Sequence, residues 1–103
     1  MRIIKLFSSL PKSPEAQVIG KQVLRSGTSV GAQYREACRS RSNSEFISKM
    51  QSSLQELDET AYWLELLVEG EMVRADKLEE LQKETDELIA IFVSSVKTAR
   101  LKK

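Results

Sequence analysis

The stretch "SNSEFISKMQSSLQELDETAYWLELLVEG", residues 42–70, decides the fold. Within it Ile47, Met50, Leu54, Leu57, Ala61, Leu64 and Val68 recur at alternating three- and four-residue spacing, which places them on one face of an α-helix. Ser42 precedes Glu45 by the capping-box distance, and Gly70 stands where a helix ends on a C′ glycine. The pattern predicts a helix over 43–69.

The same period continues on both sides. Leu78, Leu81, Thr85, Leu88, Phe92, Ser95 and Ala99, widened by Ile89, Val93 and Val96, predict a helix over 76–101 with Glu79 at the capping distance from Asp76. Its acidic residues come early and its basic residues late, as the helix dipole favours. Upstream, Ser13 as N-cap, Pro14 at N1 and Glu15 open a helix over 14–39 whose stripe is Ala16, Ile19, Val23, Ser26, Val30, Gln33 and Ala37. Residues 2–9 form a short first helix closed by "LPKSP". Three helices of about 26 residues each span about 39 Å and are joined by short loops. The expected fold is all-α: an antiparallel up-down-up-down four-helix bundle, one domain over 1–103, with a short first helix.

Composition agrees. Four glycines, two prolines and 30% charged residues in 103 suit a helical chain with one core. The single cysteine, Cys38, leaves no internal disulfide, and the longest apolar run, Ile89 to Val93, is far short of the roughly eighteen residues of a membrane span. A cytoplasmic protein without membrane association is the expectation. The net charge of +1 hides an asymmetry: residues 1–50 hold nine Lys/Arg and three Asp/Glu, residues 51–103 seven and twelve.

The helix over 14–39 carries unusual residues on two further faces. Gly20, Leu24, Gly27, Gly31 and Cys38 share one side, and three glycines there suit close approach of another backbone, from this chain or from a neighbouring subunit. Cys38 is expected to be buried on that side as a small apolar residue. The other face, Glu15, Val18, Gln22, Arg25, Ser29, Ala32 and Glu36, meets Lys49, Ser53, Glu56, Thr60, Trp63 and Leu67 of the next helix. With a turn near 40–43, partner numbers sum to about 85. This puts Glu36 opposite Lys49, Ser29 opposite Glu56, Arg25 by Glu59 and Thr60, and Gln22 by Trp63. The expectation is a polar ladder of Arg25, Ser29, Glu36, Lys49, Glu56 and Glu59; the alternative is a set of solvated boundary charges.

The sequence from Leu10 to Leu67, with its blocks "LRSGTSVGA", "REA", S-x-x-E-F-I-x-K and E-x-x-E-T-x-Y-W-L, resembles the bacterial four-helix-bundle family named for ribosomal-RNA intervening-sequence proteins. The accessory variability proteins of diversity-generating retroelements are similar. The resemblance implies a homopentameric ring and, from the retroelement relatives, nucleic acid and a reverse transcriptase as partners. It carries Arg25, Ser26, Gly27, Ser29, Gly31, Glu36, Ala37, Phe46, Lys49, Glu56, Glu59, Thr60 and Trp63 over as motif positions, none of them catalytic. Gln33 stands where relatives often have Asn, the first helix is shorter than the family's, and the net charge is less basic than that of the retroelement relatives.

Enzyme chemistry finds little purchase. A two-metal bundle site needs Glu-x-x-His, and the chain has no histidine; Cys38 lacks a histidine base; "SGTSVG" lacks the strand and lysine of a phosphate loop. No catalytic, cofactor or metal residue is expected. An up-down bundle would instead gather Arg2, Lys5, Arg35, Arg39, Arg41, Lys97, Arg100, Lys102 and Lys103 at one pole and Glu65, Glu69, Glu71, Asp76, Glu79 and Glu80 at the other. The basic pole suits RNA or DNA phosphates, more so when a ring aligns several copies; dipole-complementary charge alone is the alternative. A third class is a protein–protein adaptor or scaffold ring without nucleic acid, holding a partner such as a polymerase.

Overall fold

The computed structural model describes residues 2–102, with the side chain of Arg2 outside that description. Four helices follow one another: α1 (Arg2–Ser9), α2 (Pro14–Cys38), α3 (Asn43–Glu69) and α4 (Ala75–Leu101), with no strand among the described residues. They form the antiparallel bundle that the periodicity predicts. Ion pairs joining Arg25 to Glu59 and Glu36 to Lys49 run α3 against α2, and a hydrogen bond from Asn43 to Ala99 runs α4 against α3.

The caps explain most boundaries. The amide of Ala16 donates to Ser13 Oγ at 3.3 Å, and that of Glu45 to Ser42 Oγ at 3.1 Å, so each side chain satisfies one of the unpaired donors of a first turn. Two expected ends differ. The N-cap of α4 is Arg74, with no side-chain cap bond; Asp76 lies inside the first turn, 3.2 Å from the Arg74 guanidinium. Gly70 has φ −79°, and the left-handed position falls on Glu71 at φ 58°. The next amides, of Met72 and Val73, then fold back onto the Leu67 carbonyl.

The buried stripe of α3 is rotated from the expected one. Met50, Ser53, Leu57, Thr60, Leu64 and Leu67 are buried, while Ile47, Leu54, Ala61 and Val68 are half-buried flanks. α3 has helices on two sides, so its inner face points between them, and its small polar residues Ser53 and Thr60 contact α2. In α4, Leu78, Thr85, Phe92, Val96 and Ala99 are buried, whereas Leu88 is exposed.

The core comes in two parts. At one end α1 joins the long helices around Leu10, Val23, Leu64, Leu67 and Leu78. At the other, only α2, α3 and α4 meet, around Val30, Ala37, Met50, Leu57, Phe92 and Val96. The cause is length: eight residues make α1 about 12 Å long, in a molecule 49 Å long. Among the described residues no helix is long and apolar enough to cross a membrane.

Candidate nucleic-acid interface

Asn43 ties one end of the bundle together. Its side-chain amide donates to the Ala99 carbonyl at 2.6 Å and the Lys102 carbonyl at 2.9 Å, satisfying acceptors that the end of α4 would otherwise leave open. The turn bearing Arg39 and Arg41 is thereby held beside the last turn of α4, which bears Lys97, Arg100 and Lys102. Arg35 stands one turn before the end of α2. All six side chains are exposed, and none has an acidic partner among the described residues. Glu36 at this end is engaged by Lys49 at 3.6 Å, and Glu45 occupies the first turn of α3, where the dipole favours it.

A cleft of about 460 Å³ opens here between the start of α3 and the end of α4, lined by Phe46, Ser94, Ser95, Thr98 and Lys102 as well as Asn43. It combines hydroxyls, an ammonium and a ring face, groups that suit a phosphate, a sugar or a base.

One expected member of the basic pole, Lys5, lies elsewhere. Ile3 packs on Gly27, at the middle of α2, so α1 begins half-way along the bundle. Lys5 shares a recess with Lys77, Glu80 and Leu81, in the acidic half. An eight-residue helix cannot reach the far end. Lys103 and the side chain of Arg2 lie outside the described residues. The acidic end holds Glu65, Glu69, Glu71, Asp76, Glu79 and Glu80, as the up-down topology requires.

The polar ladder runs along the boundary of α2 and α3, with Arg25 near the middle of α2 and the Glu36–Lys49 pair toward the basic end. Arg25 reaches Glu56 at 3.0 Å and Glu59 at 2.9 Å, while its Nε donates to Gln22 at 3.1 Å. Partial desolvation lowers the Arg25 pKa, and the hydrogen bonds and charges of Glu56 and Glu59 more than reverse it, raising the guanidinium further above its usual range. Ser29 does not join Glu56. The inner contacts come instead from Ser26, whose hydroxyl is 2.8 Å from that of Thr60, and from Ser53, which donates to the Val30 carbonyl at 3.1 Å. Two buried atoms, Gln33 Oε1 and Trp63 Nε1, have no hydrogen-bond partner; Gln22 is therefore not the partner of the indole.

The glycine face divides. Gly20 lies under Leu10 and Phe7, and Gly27 under Ile3, which makes α1 the backbone they admit; Gly31 faces open space. Cys38 is exposed rather than buried; α1 lies over Gly20 and Gly27, further back along α2. The neighbouring Cys38 thiol, as hydrogen-bond partner first and charge second, pushes the Tyr34 phenol above its ordinary pKa. The Tyr34 ring stacks on Phe92 of α4, centroids 5.4 Å apart. Neither this stack nor the Asn43 tie has a sequence signal, since both join residues more than fifty positions apart. Among the described residues no group of three or more His, Cys, Asp or Glu is arranged to hold a metal ion.

The profile of the 23S rRNA-intervening sequence protein family matches residues 1–94. A solved structure similar to the chain is a protein of unknown function from the S23 ribosomal protein family of Bacteroides thetaiotaomicron VPI-5482. It is 38% identical, with a TM-score of 0.87, over 93% of this chain and 89% of that one. Among curated proteins, none matches.

Proposed function

The chain belongs to the 23S rRNA-intervening sequence protein family, and we propose that it is a non-enzymatic, self-associating bundle that binds RNA or DNA through its basic end. The observation that carries the reading is the set of Arg35, Arg39, Arg41, Lys97, Arg100 and Lys102, exposed and without acidic partners among the described residues. Arg35 and Arg100 lie in the last turns of α2 and α4, where the helix dipole favours a cation without an ion pair, so the dipole is the competing account of those two. A polyanion supplies the missing partners and releases its counterions in return. The family's name refers to 23S rRNA, which makes RNA the first polyanion to test.

Self-association strengthens the reading. Val18, Tyr62 and Ile91 are more than half exposed, at 63%, 53% and 57%, and apolar surface of this kind suits contact between copies. In a ring of parallel copies, five by resemblance to relatives, the basic ends would share one face and their potentials would add.

The test is fluorescence anisotropy with labelled RNA and DNA of equal length at 50 and 200 mM salt. If six phosphates are engaged per chain, affinity falls by a factor of roughly 10³ between the two. Absence of binding at the lower salt for both probes removes the reading and leaves the protein-adaptor alternative.

A further inference from the structure

Glu36 and Lys49 are paired across two helices although each has a nearer partner along its own. Arg39 follows Glu36 by three residues and Lys49 follows Glu45 by four, acid before base, the order and spacings at which such residues pair on one helix. The closing turn of α2 keeps Arg39 close, since its amide and the Ser40 hydroxyl both donate to the Glu36 carbonyl, at 3.1 and 3.3 Å. Yet Lys49 Nζ lies 3.6 Å from Glu36 Oε1, and neither Arg39 nor Glu45 has an ion-pair partner among the described residues.

The two acids differ in what they need. Glu36 and Glu45 are the carboxylates between Arg35 and Lys49. Glu45 lies in the first turn of α3, where the dipole favours a negative charge, whereas Glu36 lies in the last turn of α2, where the dipole opposes one. Glu36 therefore requires a cation, and whichever cation answers it is withdrawn from any other anion. Lys49 answers it from α3, and Arg39 stays free. The pair faces solvent, with the side chains of Glu36 and Lys49 56% and 39% exposed, so it adds little to stability.

We propose that Lys49 is a positioning residue of the nucleic-acid site: by holding Glu36, it keeps the Arg39 guanidinium open to a phosphate. The proposal rests on the reading of the basic end as a polyanion site. Without Lys49, Glu36 turns to Arg39, its partner along the chain, which occupies one phosphate-binding cation and sets a negative charge beside the others. Lys49 itself touches no phosphate; it acts through Glu36 on Arg39.

Fluorescence anisotropy with labelled RNA at 50 and 200 mM salt reads the effect as the ratio of the two affinities. One phosphate contact contributes a factor of about 3.5 to that ratio. Lys49→Met and Arg39→Met should each lower the ratio by about that factor, and Lys49→Met should add little in the Arg39→Met background or in the Glu36→Gln background. Lys49→Arg, which retains the pair, should bind as wild type does. Thermal melts confirm that the variants fold, and the loss of one charge as such is common to all backgrounds and cancels in the comparison. The proposal is overturned if Lys49→Met costs as much with Arg39 or Glu36 replaced as with both present, which would make Lys49 a phosphate contact in its own right, or if Lys49→Met binds as wild type does. Either result overturns the proposal alone; absence of RNA binding by wild type removes the basic-end reading and the proposal together.

Discussion

The Ser26 hydroxyl of α2 lies 2.8 Å from the Thr60 hydroxyl of α3, and both residues are buried. Thr60 spends its own proton on the Glu56 carbonyl at 2.9 Å, so Ser26 is the donor of the pair. Removing the two partners therefore has unequal consequences. Thr60→Val leaves the Ser26 proton with only the Val23 carbonyl at 3.5 Å and should cost about 1–3 kcal/mol, whereas Ser26→Ala leaves Thr60 bonded and should cost about 1 kcal/mol. In urea unfolding, the double variant should lie closer to Thr60→Val than additivity predicts.

The glycines give an ordered series. Gly31→Ala adds a methyl to open space and should raise stability by up to about 1 kcal/mol through helix propensity. At Gly27 the new Cβ would lie 3.1 Å from two carbons of Ile3, and at Gly20 it would meet the end of Leu10 more closely still. The expected order of melting temperatures is Gly31→Ala, then Gly27→Ala, then Gly20→Ala. The last should also speed amide exchange in α1.

Asn43→Ala removes both hydrogen bonds to the end of α4. The first is part-buried and the second exposed, so the combined loss should be about 1–2 kcal/mol. Amide exchange should rise selectively in the last turn of α4. Nucleic-acid affinity should fall with it if the basic end binds, because Lys97, Arg100 and Lys102 lose their alignment with Arg39 and Arg41.

For Arg25, exposed charges and hydrogen bonds to Glu56 and Glu59 make the stabilisation salt-sensitive. Arg25→Met should lower the melting temperature more at low salt than at high salt. The guanidinium pKa is raised, so its contribution is present below its ordinary pKa and would be lost only as pH rises through the higher folded value. Stability lost through this group should therefore not appear near neutral pH.

The position of α1 separates Lys5 from the basic end. Lys5→Glu should leave RNA or DNA affinity nearly unchanged, while Arg100→Glu should reduce it and flatten its salt dependence. Anisotropy titrations of the two variants at one low salt concentration make the comparison.

Much of this protein was legible in its sequence because helical periodicity and capping are local. Ser13, Pro14, Ser42 and the three-four spacing of apolar residues act within a few positions of themselves, and the observed helices begin and end within one residue of the expected bounds. Antiparallel numbering was enough to bring Arg25 to Glu59 and Glu36 to Lys49, since short loops fix the register of neighbouring helices. The same reasoning misplaced Lys5 and Cys38, whose surroundings depend on how far α1 reaches along its neighbours.

The sequence alone therefore determined four helices, their order and direction, and the segregation of charge along the chain. Only the tertiary structure decided that Ser53 and Thr60 rather than Leu54 and Ala61 point inward, that Asn43 closes α4, and that α1 packs over Gly20 and Gly27. Rotation of a helix about its axis is set by the sum of its contacts with every neighbour, and no local pattern contains that sum.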